Sequence, residues 1–326
     1  MKRRAANWTH KGRSNTLIER RNNPKTGHTF RSDAPGIRLA ISSITCIYCL
    51  DLSSRSRMTS NVLDMHGERI SMTVERTAVV TGAGTGIGRS VATALLKAGW
   101  NTVFCGRRKS VLDQAVAEAV AEVGHTQARA LAVACDISKA DRVDDLFETV
   151  LAAFGRVDLL FNNAGMSYKS TTIDEIPVEV WNDVVGVNLT GSFLCARAAF
   201  GAMRKQRPMG GRIINNGSVS AYAPRPGSAP YTATKHAITG LTKTLALDGR
   251  PYDIACGQID IGNALTEMAQ PMTVGVPQAN GSVAAEAVMD VQHVADAVVH
   301  MAGLPLDANV LFMTVMATKM PFVGRG

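Results

Sequence analysis

Thr81-Gly82-Ala83-Gly84-Thr85-Gly86-Ile87-Gly88 is the stretch on which the reading of this 326-residue chain turns. Ala78-Val79-Val80 before it is a short apolar run, and Val91, Ala92, Leu95 and Leu96 after it recur at helical spacing. Strand, glycine turn and helix form the setting in which a Gly-rich string can hold a phosphate. Glycine lets the backbone turn sharply and approach a pyrophosphate, and the unpaired amides of the following helix face the anion. The stretch reads as a dinucleotide site. Its spacing lacks the two-residue gap of the G-x-G-x-x-G fingerprint, so by itself it also fits a plain strand-to-helix turn.

Outward from there, short apolar runs alternate with helical patterns. Strands are expected at 77–81, 102–105, 130–135, 159–161, 213–215, 253–259 and near 310–315, and helices near 88–99, 109–124, 141–154, 178–205, 231–248 and 292–303. This alternation predicts an α/β fold, a doubly wound, mostly parallel sheet covered by helices on both faces. In that architecture ligands bind beyond the carboxyl ends of the strands.

The strand-end residues carry the chemistry. The second strand ends Phe104-Cys105-Gly106-Arg107-Arg108, with no carboxylate about 20 residues past the glycine turn to bond an adenosine ribose. Two guanidiniums follow instead, suited to bidentate contact with a 2′-phosphate, which favours NADP(H) and leaves NAD(H) as the second choice. The competing reading is a solvated helix start. Asp136, after the third strand, suits an adenine amino group or a helix cap, although Ser138 fits the cap better. Asn162-Asn163-Ala164-Gly165 ends the fourth strand, where backbone passes close to something.

Tyr231 and Lys235 lie four apart on one face of a helix beginning near Pro230. An ammonium beside a phenol favours the phenolate, so the pair can act as an acid and base. Ser218 lies thirteen residues earlier, where its hydroxyl can hold a carbonyl oxygen beside the phenol.

With these residues laid out, the sequence resembles the short-chain dehydrogenase/reductase family, including its 3-oxoacyl-ACP reductase-like members. The resemblance runs from about Thr77 to Met268 through TGAGTGIG at 81–88, Asp136, NNAG at 162–165, Val187-Asn188, Ser218 and YTATK at 231–235. It implies one Rossmann-like domain that binds cofactor and builds the substrate pocket together. It also implies a catalytic tetrad of Asn188, Ser218, Tyr231 and Lys235. Tyr231 would exchange a proton with a carbonyl or secondary alcohol as hydride moves to or from the nicotinamide, and Asn188 would hold a water that relays protons to Lys235. The implied cofactor contacts are Gly82, Thr85, Gly86, Ile87, Gly88, Arg107, Arg108, Asp136, Ile137, Asn162, Ala164, Gly165, Tyr231, Lys235, Gly262 and Thr266, with no metal. Homo-oligomers, dimer or tetramer, are implied as well, through the helices at 178–205 and 231–248.

Two stretches depart from the family pattern. Asp260-Ile261-Gly262 stands where Pro-Gly is usual, so a rigid turn is expected to be lost. The apolar, Met-rich Val310–Phe322 is expected either to close a pocket or meet a neighbouring subunit, or to form a terminal strand and packed tail. The loops 166–172, 220–229 and 262–288 are expected to set specificity for a neutral or moderately apolar carbonyl or alcohol, with 262–288 as a lid.

The net charge of +8 resides in the N-terminal part. Residues 1–75 carry 13 Lys+Arg against 6 Asp+Glu, leaving 22 against 21 in the rest. The folded part is therefore not a nucleic-acid binder by charge. Residues 1–71 are read as a disordered basic extension ahead of a domain at 72–326. If translation starts at Met58, Met65 or Met72, the extension is no part of the functional protein. The rival reading of the whole is a catalytically silent cofactor-binding protein whose basic arm touches nucleic acid or a membrane. Cys46-x-x-Cys49 lacks second ligands and is given no metal or redox role. Cys105, Cys135, Cys195 and Cys256 stand singly in apolar surroundings, as reduced buried thiols do. With no secretory signal or membrane span read, a cytoplasmic protein is expected.

Overall fold

The computed structural model describes residues 75–323 and, ahead of them, the backbone of two strands at 59–63 and 69–73. The Cys46-x-x-Cys49 pair and most of the basic extension lie outside the described residues. Strand β1 (Thr59–Leu63) pairs antiparallel with β2 (Arg69–Thr73), Thr59 opposite Thr73. This pair falls within the stretch expected to lack regular structure, most of which lies outside the described residues. Each run is only five residues long, too short for a periodicity test, yet both carry the β-branched residues that strands favour.

The main sheet has seven parallel strands: β3 (Thr77–Thr81), β4 (Asn101–Gly106), β5 (Ala130–Ala134), β6 (Leu159–Asn162), β7 (Gly211–Asn216), β8 (Ile254–Gly262) and β11 (Phe312–Met316). Their spatial order is β11-β8-β7-β6-β3-β4-β5. Strands β9 (Val276–Pro277) and β10 (Val283–Ala284) make a separate two-residue pair. The helices are α1 (Gly86–Lys97), α2 (Lys109–Val123), α3 (Ala140–Phe154), α4 (Val178–Val185), α5 (Ser192–Lys205), α6 (Ala229–Asp248), α7 (Gln270–Val274) and α8 (Gln292–Gly303). The sheet grows outward in both directions from the β3–β6 pair, so that pair is the switch point at which a crevice opens.

Both faces of the five central strands are dry. In β3, Ala78 and Val80 enter the core under α1, α2 and α8, while Val79 enters the opposite core under α3 and α5. The same alternation holds for Phe104 against Val103 and Cys105, for Leu159 and Phe161 against Leu160, and for Ile214 against Ile213. Strands buried on both faces read as continuous apolar runs, which is why they were legible.

The expected helix at 178–205 is present but interrupted by a π-helical turn at Gly186–Gly191. A Cβ on Gly191 would sit 2.7 Å from the Ile137 side chain, so the helix is pressed against the loop after β5 there. The continuous Val178–Lys205 segment is long enough to cross a membrane and contains an 18-residue window of mean hydropathy 1.3. Its Val184, Cys195, Ala196, Ala199 and Met203 are nevertheless buried in the protein.

The two departures resolve within the sheet. β8 continues through Ile261 to Gly262, in register with Val315 and Met316 of β11, so the strand runs on where a turn is usual. After β11 the chain packs Ala317 and Met320 against Val219, so the C-terminus is a terminal strand with a packed tail. Cys105, Cys135, Cys195 and Cys256 are all buried and free.

Candidate active site

Glycine geometry shapes the turn between β3 and α1. Gly82 has φ +67°, and a Cβ on it would lie 2.9 Å from Ala164 Cα. On Gly88 a Cβ would lie 2.2 Å from the carbonyl oxygen of Gly82, so the first turn of α1 rests directly on the loop. Thr85, at the N-cap of α1, makes no side-chain cap bond, and no acidic residue occupies the first turn. The helix amides are therefore unclaimed by side chains and suit the pyrophosphate of a dinucleotide.

A cleft of about 930 Å³ runs from this turn across the carboxyl ends of the strands. Of the expected residues, Gly82, Thr85, Gly86, Ile87, Gly88, Arg107, Arg108, Asp136, Ile137, Ala164, Gly165, Ser218, Tyr231, Lys235 and Thr266 line it. Asn162, Asn188 and Gly262 do not. Asn162 is buried in the sheet and donates from Nδ2 to the Ser192 carbonyl and to Asn215 Oδ1. Gly262 turns its Cα toward Met316 and Met320 of the C-terminal segment.

At the adenosine end, Arg107 and Arg108 are exposed and form no ion pair among the described residues, whereas Lys109 is engaged with Asp113. Asp136 Oδ1 accepts from the Ser138 amide at 3.1 Å and hydroxyl at 2.8 Å. Helix α3 is capped at Lys139 without a side-chain bond, so Ser138 serves Asp136 and not the helix. Burial works against the Asp136 charge, but the Ser138 bonds and the charge of Arg107 outweigh it and hold the carboxyl below the usual aspartate value.

At the other end, a hydrogen-bonded ladder crosses three strand ends. Thr81 Oγ1 accepts from the amides of Asn163 (2.9 Å) and Ala164 (3.0 Å), and Asn163 Nδ2 donates back to the Thr81 carbonyl. Asn216 Nδ2 donates to Asn163 Oδ1, and the Asn216 carbonyl accepts from Lys235 Nζ at 2.8 Å. The Lys235 ammonium is buried and lies 5.4 Å from the Tyr231 ring centroid. The Tyr231 hydroxyl has no protein partner among the described residues. Asn188 is fully engaged: its Oδ1 accepts from the Met166 amide, and its Nδ2 donates to the Met166 carbonyl and to Thr234 Oγ1.

Ser218 sits at the end of β7, its Oγ accepting from the Ser220 amide at 3.1 Å. That leaves the hydroxyl hydrogen free to meet an oxygen in the cleft. Behind it, Asp260 is completely buried. Its Oδ1 accepts from the Ser218 amide (3.0 Å) and Gln258 Nε2 (2.7 Å), and its Oδ2 accepts from the Tyr222 hydroxyl (2.9 Å). Burial raises the Asp260 carboxyl above the usual aspartate value, opposed by its bonds from Gln258, Tyr222 and Ser218 and by the charge of Lys235. Burial and Asp260 together push the Tyr222 phenol up to about 12.

The 262–288 segment is tied down from the opposite loop. Arg225 forms a short contact to Glu286 Oε2 and donates to Asn263 Oδ1 at 3.0 Å, while Asn263 Nδ2 and Gln278 Nε2 donate to Glu286. Burial opposes the Glu286 charge, but the bonds from Arg225, Asn263 and Gln278 outweigh it and lower the carboxyl below the usual glutamate value. Sequence reasoning placed these residues in two separate loops, 220–229 and 262–288, and did not pair them. It also passed over Asn163 and the role of Asp260, although a carboxylate inside a run buried on both faces is itself a signal that donors must converge on it.

Residues 76–275 match the short chain dehydrogenase family. The chain is 37% identical over 208 residues to the 3-oxoacyl-[acyl-carrier-protein] reductase of Synechocystis, covering 62% of this chain and 81% of that one. Among solved structures it is similar to the 3-ketoacyl-(acyl-carrier-protein) reductase of Brucella melitensis complexed with NADH, at TM-score 0.64 and 28% identity over 74% of this chain and 98% of that one. It is also similar to a metagenomic short-chain oxidoreductase in complex with NADP, at TM-score 0.63 and 28% identity over 75% and 98% of the two chains. The chain belongs to the short-chain dehydrogenase/reductase family of nicotinamide-dependent oxidoreductases.

Proposed function

We propose that this enzyme is an NADP(H)-preferring reductase or dehydrogenase acting on a carbonyl or secondary alcohol, with Tyr231 as the general acid and base. The observation that carries the reading is the convergence on one cleft of a Tyr231 hydroxyl without a protein partner, the buried Lys235 ammonium and the Ser218 hydroxyl. The nicotinamide supplies or accepts the hydride. Tyr231 gives its proton to the substrate oxygen in reduction and takes it back in oxidation. Ser218 donates a hydrogen bond to that oxygen and holds it beside the phenol. Lys235, fixed by the Asn216 carbonyl, presents its remaining N–H bonds to the ribose hydroxyls. Asn188 clamps the Met166 loop to α6, and a water relaying protons to Lys235 would be held by main-chain atoms near this clamp. Arg107 and Arg108 receive the 2′-phosphate, a preference supported by their freedom from ion pairs and by the absence of a carboxylate at the end of β4.

Substrate enters under the 262–288 segment. The cleft wall there includes Tyr168, Met268, Met272 and Val276, and Arg225, the guanidinium nearest this wall, is occupied by Glu286. That lining suits a neutral carbonyl compound. Trp181 and Phe193 are exposed on α4 and α5, and covering them between subunits supports a homo-oligomer, which sedimentation would count.

The test is turnover of NADPH with a panel of neutral ketones and β-keto esters by the wild type and Tyr231→Phe. The variant should lose about 10²–10⁴-fold in kcat while still binding NADPH. Undiminished turnover would remove Tyr231 from its role.

A further inference from the structure

We propose that Asp260 is a positioning residue for the reaction: its buried carboxylate, held by Gln258 and Tyr222, fixes the main chain at Ser218 and so aims the Ser218 hydroxyl at the substrate oxygen. This rests on the reading of Ser218 as the group that meets that oxygen.

Three groups meet the Asp260 carboxylate. The Ser218 amide can only donate, Gln258 Nε2 can only donate, and the Tyr222 hydroxyl completes the set. Oδ1, met by two groups that can only donate, acts purely as an acceptor, and an ionised carboxylate matches that environment. The amide of Gln258 is held from the other side as well, because Nε2 also donates to Thr239 Oγ1 at 3.1 Å on α6, the helix that bears Tyr231 and Lys235. One carboxylate thus joins β8, the end of β7 and α6.

The fit leaves no slack. A Cβ on Gly217 would lie 2.0 Å from Asp260 Oδ1 and 2.6 Å from Gln258 Nε2, so the residue before Ser218 is glycine because the carboxylate fills the space where a side chain would stand. Ser218 is in an extended conformation, φ −168°, ψ 150°, with its amide on Asp260 and its Oγ on the Ser220 amide. Releasing the amide frees the peptide to rotate, and a reacting group displaced by about 1 Å can cost on the order of a hundredfold in rate.

The experiment is a double-mutant cycle between Asp260→Asn and Ser218→Ala, read as kcat and KM for a ketone substrate at saturating NADPH. NADPH affinity and Tm are measured beside it. Asp260→Asn keeps the shape and replaces an acceptor oxygen with a donor. The expected result is a loss of about tenfold to a hundredfold in kcat, with KM and NADPH affinity within about twofold. In the Ser218→Ala background the same change should cost less than about twofold, because the group it aims is gone. Full cost in both backgrounds, or a kcat loss that only follows a fall in Tm and NADPH affinity, overturns the proposal. If Asp260→Asn does not fold, Tyr222→Phe removes only the Oδ2 bond and enters the same cycle. A smaller kcat loss that vanishes in the Ser218→Ala background supports the proposal, and an equal loss in both overturns it. Ser218→Ala with unchanged kcat would instead sink the role of Ser218 itself, a failure separate from that of Asp260.

Discussion

The two ends of the cleft are built by different means. The adenosine end is made of backbone and empty space: Gly82, Gly86 and Gly88 form it, α1 brings uncapped amides, and Arg107 and Arg108 stand free. The reacting end is made of side chains bonded to one another. Thr81, Asn163, Asn216 and Lys235 form one chain of bonds there, and Ser218, Asp260, Gln258 and Tyr222 form another. A site of backbone can be ruined by adding one atom, whereas a network of side chains loses function by degrees.

The sharpest way to break that contrast is Gly88→Ala. A methyl 2.2 Å from the Gly82 carbonyl cannot be accommodated without moving the turn. NADPH affinity should fall more than tenfold and stability by about 1–3 kcal/mol, read by nicotinamide emission and thermal melts. Retained binding would mean that the turn is softer than its geometry implies.

Next in size is the charge at the same end. Replacing Arg107 and Arg108 together with Ala should weaken NADPH by about 10–100-fold, the equivalent of about 1.4–2.8 kcal/mol, and leave NADH within twofold. Equal losses for both cofactors would make the arginines general electrostatic contributors.

Smaller still is the latch over the substrate end. Glu286→Gln keeps the shape and weakens the grip of Arg225, so KM for substrate should rise severalfold with NADPH affinity unchanged. Because the Glu286 carboxyl is held below the ordinary value of 4.5, its contribution to stability is present above that pH and is lost as the pH falls through the lower value in the folded protein. The wild type should therefore lose part of its stability advantage over Glu286→Gln on acidification below about pH 4.5, seen as converging Tm values. A constant gap would place the contribution elsewhere.

Legibility follows the same division. The seven strands, the glycine turn and the Tyr231–Lys235 pair were readable because each is a local pattern: a short apolar run, a repeat of glycines, a spacing of one helical turn. The supporting network was not, because its members are far apart in sequence. Asp260 and Ser218 are separated by 42 positions and Arg225 and Glu286 by 61, and no local rule pairs them. The strands at 59–63 and 69–73 were not read for the opposite reason, each being shorter than any window that could detect it. The π-turn around Asn188 was missed because the apolar spacing on either side carries straight through it.

Thr81 is the last residue of the first strand in the main sheet, and its hydroxyl accepts two amides from Asn163 and Ala164, more than eighty residues downstream. Each half of the domain contains ordinary local folding units, yet the floor of the cleft exists only after these two distant segments have met. Closing so long a loop is slow and entropically costly, and a dinucleotide lying across the seam repays part of that cost by mass action. Folded chains would thus resist proteolysis longer in a cell rich in the cofactor. A lesion at the buried Thr81 hydroxyl would look like a defect of cofactor binding although Thr81 does not line the cleft.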